Sequence, residues 1–228
     1  AWQTLAPMLS ARWGAACGIL DRRLYICGGI GLHGQRLRSV DCYDPTLAVW
    51  EAAPPMEQRR GQPAAASLGG RLYVCGGYDG QGSLNHVERF DARAAAWEAT
   101  PPMVDRRGRA VAAALGGRLY VCGGRASGMQ CFRSVERFSP EAGFWEAAPP
   151  MLDGRVDAAA AASCGALYIF GGWDGAQRLS SAEKFSPTLG SWTPVAPMAE
   201  RRMCAATAAA RPESDGLPNM LSAALPSL

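Results

Sequence analysis

Lysine is nearly missing from this chain. The 23 basic residues include only Lys184, so any basic surface must be built from arginine. Histidine is scarce as well, with His33 and His86 alone in 228 residues. They lie in different parts of the chain, and no His/Cys cluster has ligand spacing, which argues against a metal centre or a copper oxidase. His33 reads as a solvated loop residue and His86 as a strand-edge residue. No Ser/His/Asp arrangement rises above chance, so no catalytic residue, metal or cofactor is assigned and the chain is not expected to be an enzyme. No run of 18 or more apolar residues occurs, so no membrane-spanning helix is expected. No charged leader with an apolar core opens the chain. It starts at Ala1 inside a repeat and reads as a piece of a longer protein.

A disulfide framework is also absent from the pattern of the eight cysteines. Cys27, Cys75 and Cys122 occupy one equivalent place, which Phe170 fills in a fourth copy, so there the thiol acts as a small hydrophobe. Cys17, Cys164 and Cys204 fall on or beside innermost strands and are expected inside. Cys131, in a loop beside Phe132 and Arg133, is the one thiol to watch for reactivity, with an unreactive thiol the favoured reading. Free thiols of this kind suit a reducing compartment, the cytoplasm first, with the nucleus as alternative.

What is present is a repeat. Arg71-Leu72-Tyr73-Val74-Cys75-Gly76-Gly77 recurs around the Gly pairs at Gly28, Gly123 and Gly171, spaced 48, 47 and 48 residues apart. Trp2, Trp50, Trp97, Trp145 and Trp192 keep the same register, as do the Pro-Met pairs ending at Met8, Met56, Met103, Met151 and Met198. An arginine follows each pair: Arg12, Arg60, Arg107, Arg155 and Arg202.

Within one period the turn signals separate four short strands, a to d. In the second period strand a is expected over 62–68, b over 71–75, c over 86–90 and d around Trp97. Proline after d stops pairing, because it donates no N–H to a ladder. The alanine-rich a segments have helical propensity, but the turns at both ends and the repeat decide for strand. Small side chains suit strands crowded around a common axis. Four-stranded units of this length form β-propellers.

The Gly pair, the Tyr before it, the spaced Trp and the closing Pro-Met resemble kelch repeats. Asn85-His86-Val87-Glu88-Arg89-Phe90, Ser134-Val135-Glu136-Arg137-Phe138 and Val40-Asp41-Cys42-Tyr43-Asp44-Pro45 bring the likeness to the kelch-like family, over roughly residues 1–210. That resemblance implies an all-β kelch-type propeller with four complete four-stranded blades, in periods of about 12–56, 60–103, 107–151 and 155–198. Lone strands at 2–6 and 203–210 would belong to incomplete blades. It also implies a protein-interaction module. In that family BTB and BACK domains commonly precede the propeller and make it a substrate adaptor of cullin-RING ubiquitin ligases, a role this stretch could serve only if the parent protein carries those domains. A cytoskeletal or scaffold propeller is the alternative, and a carbohydrate-active kelch enzyme the third reading.

A repeat contains its own comparison. Residues alike in every period belong to the scaffold, and loop positions that differ are candidates for binding. Strands alternate in direction, so the b–c and d–a loops share one face. On it the differing residues Arg36, Arg38, Tyr78, Arg125, Arg133, Trp173 and Arg178 are expected to bind a partner protein, since aromatic and Arg side chains dominate interfaces. The periodic Arg60, Arg107 and Arg155 join them as partner-binding candidates, with a competing reading in which they pair inside their own blades with Glu88, Glu136 and Glu183. Forked guanidinium groups suit carboxylates, so an acidic peptide segment is the expected partner. Neither nucleic acid nor membrane is. Residues 211–228, beyond the last period, have leucines at helical spacing and read as a frayed tail.

Overall fold

The structure is a computed structural model, and it describes residues 3–205. Every named element among them is a strand. Blade 1 is formed by β2 (Ala16–Leu20), β3 (Arg23–Cys27), β5 (Val40–Asp44) and β6 (Val49–Ala53). Blade 2 has β7 (Ala64–Leu68), β8 (Arg71–Cys75), β9 (Val87–Asp91) and β10 (Ala96–Thr100). Blade 3 has β11 (Val111–Leu115), β12 (Arg118–Cys122), β13 (Val135–Ser139) and β14 (Phe144–Ala148). Blade 4 has β15 (Ala159–Ser163), β16 (Ala166–Phe170), β17 (Ala182–Ser186) and β18 (Ser191–Val195). Each sheet is an antiparallel meander in chain order. The short pair β1 (Arg12–Trp13) and β4 (Ile30–Gly31) ties the segment entering blade 1 to its b–c loop.

The first strands of the blades, β2, β7, β11 and β15, lie beside one another around an axial channel. Their alanines answer a steric demand. A Cβ on Gly18 would come 2.3 Å from Leu72 Cδ1 of the next blade, closer than real contacts allow. With no bulk to spare at the axis, the core lies between blades. Tyr25 packs on Phe90, Tyr73 on Phe138 and Tyr120 on Phe185, at ring separations of 5.5, 6.1 and 5.7 Å. Tilted rings at such distances add to the area they bury. The late tryptophan of each blade rests on the aromatic ring of its own third strand and donates its Nε1–H to the close of the preceding repeat. These bonds run from Trp97 to Pro54 O, Trp145 to Pro101 O and Trp192 to Pro149 O, at 2.7 to 2.8 Å.

The same bond made by Trp50 ends on Ala6 O at 2.9 Å. Residues 3–8 therefore occupy the place of a preceding repeat's close. The strand expected over 2–6 is not formed in its described part, residues 3–6, because no third strand stands beside them to pair. Met203 to Ala205 carry no strand either. The rest of the strand expected over 203–210 and the tail at 211–228 lie outside the described residues. Strand a of blade 2 begins at Ala64 instead of 62, since Gln62 has φ 51°, outside any strand conformation.

Candidate partner-binding face

The b–c and d–a loops emerge together, and the periodic arginines sit beneath them. Arg60 shows how. Its main chain belongs to blade 1, donating N–H to Leu37 O and accepting from Gly29 N at 2.9 and 2.7 Å. Its side chain belongs to blade 2, where it donates to Gly76 O, His86 O and the Glu88 carboxylate. Glu88 is completed by N–H groups of Glu57 and Gln58. Arg107 and Arg155 repeat this between blades 2 and 3 and blades 3 and 4, on Glu136 and Glu183.

The three guanidinium groups are 0% exposed. The expectation that Arg60, Arg107 and Arg155 bind a partner is corrected on this ground: they have no surface to offer and every arm is engaged in the scaffold. The partners of the competing sequence reading, Glu88, Glu136 and Glu183, are the observed ones, but each pair joins two blades and does not lie inside one. His86 stands where Ser134 and Ser181 stand and accepts from Arg60 Nη2 through Nδ1 at 2.6 Å. Burial, and then the Arg60 charge, hold its pKa below the ordinary value.

The outer members of the series differ. Arg12 bonds Gly28 O, Ser39 O and Asp41, but Asp41 is one carbon shorter than glutamate and Arg12 Nε is buried without a partner. Arg202 keeps the main-chain bonds to Leu179 and Gly172, while its side chain is 56% exposed and, among the described residues, meets Glu200 alone at 3.2 Å.

Above this layer lie the candidates that differ between periods. Tyr78 and Trp173, both half-buried, occupy equivalent places where each b–c loop bridges back to the entering segment, through Gly61 and Val156. Arg36 lies over the Tyr78 ring at 4.9 Å, a cation–π contact joining two blades. Arg38 and Arg178 are exposed and Arg125 is half-buried; none makes a side-chain hydrogen bond or ion pair among the described residues. Arg133 is exposed but donates Nε–H to Met151 O at 2.9 Å. Asp79 and Asp174 are turned inward to their own loops, where backbone N–H groups, Gly82 and Gln177 first, hold their pKa values low. They stay ionised there, so their charge counts against that of the arginines around them.

One group on this face was not singled out from the sequence. Two residues after each periodic arginine come Gly14, Gln62, Arg109, Asp157 and Cys204. All five have left-handed φ, between 51° and 59°. Each of the last four donates its N–H to the carbonyl of the one before, at 2.7 to 3.1 Å, so they form a collar around the channel mouth. Arg109 bridges the collar, donating to Gln62 Oε1 at 3.1 Å and Asp157 Oδ2 at 2.6 Å. Non-glycine residues held left-handed store strain and often mark functional positions. The sequence signal was available: this place changes in every period.

Cysteine placement reverses part of the expectation. Cys131 is buried, its thiol turned to Met129 O and its pKa raised by burial, so the reactive reading does not hold. Cys17, Cys164 and Cys204, expected inside, are exposed: Cys17 and Cys204 line an open channel of about 560 Å³, and Cys164 lies in the turn between β15 and β16. Among the described residues no three His, Cys, Asp or Glu side chains are grouped to hold a metal.

The repeats also match a family. The KLHDC2/KLHL20/DRC7 Kelch-repeats domain covers residues 2–155, and the Kelch motif covers residues 154–199. The chain belongs to the kelch-repeat family. A solved structure described as "Structure of YjhT" superposes on this kelch propeller with a TM-score of 0.75 and 17% identity, over 86% of this chain and 68% of that one. At that identity the likeness concerns the fold. No curated protein sequence matches the chain. Kelch repeats are generally protein-interaction modules. The division into a rigid arginine–glutamate layer and a differing layer above it shows how such a module is arranged here.

Proposed function

We propose that this kelch propeller binds a partner protein through the b–c/d–a face, and that the partner offers an acidic segment. One observation carries the reading. Residues that agree between periods are consumed by the scaffold, while Arg38, Arg125 and Arg178, at places that differ, keep their guanidinium groups uncommitted on a rigid rim. Uncommitted arginine forks beside Tyr78 and Trp173 are the side chains that dominate interface energetics. Rigid strands beneath them reduce the entropy lost on binding.

Use of this face as the substrate-recognition part of a cullin-RING ligase rests on the resemblance alone. It is tested by whether a cullin co-purifies with the full-length protein. The binding reading is tested by selecting phage-displayed random peptides on the whole chain. Selected peptides should lose affinity with Trp173→Ala and Arg178→Ala and keep it with Arg22→Ala and Leu189→Ala, exposed residues of the opposite face. Binding that ignores the first pair and follows the second would overturn the proposal.

A further inference from the structure

The two loops at the junction of blades 1 and 2 frame an open cleft of about 460 Å³, lined by Arg38, Glu57, Gln58, Arg59, Asp79 and Gln81. The other junctions show what is unusual about it. Backbone bonds from Met56, Met103, Met151 and Met198 to Arg38, Asn85, Arg133 and Ser180 make these last four structural equivalents. Asn85 and Arg133 then return their side chains to the scaffold, donating to Met103 O at 3.1 Å and Met151 O at 2.9 Å. Arg38 makes no such bond. Arg59 is equivalent to Arg106, Gly154 and Arg201, each one place before or at the foot of a stapling arginine. Arg106 donates to Ser83 O and Arg201 to Gln177 Oε1, whereas Arg59 has no side-chain partner among the described residues. Both positions that the junction of blades 2 and 3 ties down are thus free here, in the lining of one cleft.

We infer that this cleft is a subsite for a single carboxylate side chain of the partner, held between Arg38 and Arg59. This rests on the partner-binding reading above and gives it a location. The charges decide between oxyanions. Arg38 and Arg59 supply two positive charges to the lining, and Glu57 and Asp79 supply two negative ones. Asp79 Oδ1 accepts from the N–H groups of Gln81 and Gly82 at 2.7 and 2.8 Å, so the carboxylate cannot swing to either arginine without opening its turn, although Oδ2 carries no bond there among the described residues. The lining is neutral before a ligand enters, so a carboxylate between the two guanidinium groups adds one negative charge, whereas a phosphate dianion adds two.

Peptides selected on the whole chain supply the probe, measured by fluorescence polarisation with matched Glu→Gln or Asp→Asn versions. Arg38→Ala and Arg59→Ala should each weaken the acidic peptide roughly ten-fold, the scale of one charge-assisted hydrogen bond. They should leave the amide version nearly unchanged, so that arginine and carboxylate are coupled in a double-mutant cycle. Arg38→Lys should recover only part of the loss, because the fork is missing. Neither arginine supports the scaffold, and unchanged urea midpoints will show the variants folded. Equal losses for acidic and amide peptides would overturn the subsite. So would peptides that depend on Trp173 and Arg178 but are indifferent to Arg38 and Arg59, which leaves the binding face standing. Peptides indifferent to every residue of the face overturn both.

Discussion

At the scale of single residues, the periodic arginines turn a ring of separate sheets into one body. Each has its main chain in one blade and its side chain in the next, so removing the side chain unfastens a junction and also strands a buried carboxylate. Arg107→Ala leaves Glu136, 4% exposed, without its cation and with only the N–H groups of Val104 and Asp105. An uncompensated buried charge costs about 3–5 kcal/mol. The equivalent Arg202 is exposed with an exposed partner, and screened pairs of that kind contribute less than about 1 kcal/mol. Urea unfolding should separate the two variants by that margin, although the residues hold the same place in the repeat. Equal losses would mean that the staple is not what holds the junctions.

The buried thiols add a dependence on pH. Burial pushes Cys75 and Cys122 up to about 12, from an ordinary value of 9.0, and raises Cys27 further. A raised acid pKa means that the folded state keeps a proton the unfolded chain releases. Stability from these groups is therefore whole below about pH 9 and is lost as pH rises towards 12. Urea midpoints measured from pH 7 to 11 should be flat and then fall. Cys75→Ala should make the fall shallower. Thiol titration of the folded protein at pH 8 should count Cys17, Cys164 and Cys204 as fast and Cys75 and Cys122 as slow, following their exposure.

At the scale of elements, the glycine pairs separate two duties that look alike in sequence. Gly76 ends β8 with φ 59°, and a Cβ there would stand 2.2 Å from Arg107 O. Gly116, in the turn between β11 and β12, has φ 57° with nothing within 4 Å of its Cβ position. Gly116→Ala carries only the left-handed strain of about 1 kcal/mol. Gly76→Ala adds a backbone collision that displaces the stapling arginine, and its loss in thermal unfolding should be at least twice as large. The strand pattern was legible because residues such as Arg71 to Cys75 combine β-branched and aromatic residues with glycine turns on both sides. The innermost strand of blade 2 starts later than expected because Gln62 adopts a conformation its residue type does not advertise. Binding residues were only partly legible for a related reason. Arg38 and Arg133 are the same residue at the same place, and only the geometry of each junction makes one free and the other tied. Composition likewise could not tell a saturated Arg60 from an uncommitted Arg38, since both are arginines on the same pair of loops.

At the scale of the molecule, stability in such an array is a sum over blades and their nearest-neighbour junctions. Blades 2 and 3 are packed on both faces: Tyr73 lies on Phe138, Phe90 receives Tyr25, and Leu72, Val74, Leu119 and Val121 are buried completely. Blade 4 has one junction among the described residues, the one with blade 3. Its Tyr168, the equivalent of those buried tyrosines, meets no ring of a following blade among the described residues and stacks on Phe170 of its own strand at 6.2 Å, with Lys184 over it at 5.9 Å. The ladders of β13 and β17 have the same register, so register alone predicts equal protection of their amides. Nearest-neighbour packing predicts that they differ. In native-state hydrogen exchange the amides of Ala182–Ser186 should open roughly ten-fold or more faster than those of Val135–Ser139, as a cooperative unit with the rest of blade 4. Arg155→Ala should widen the gap by loosening blade 4 from blade 3, while Arg202→Ala should leave it unchanged. Equal protection of the two strands in the parent chain would show that the blades are held mainly by their own ladders, and that the arginine staples contribute less than their burial implies.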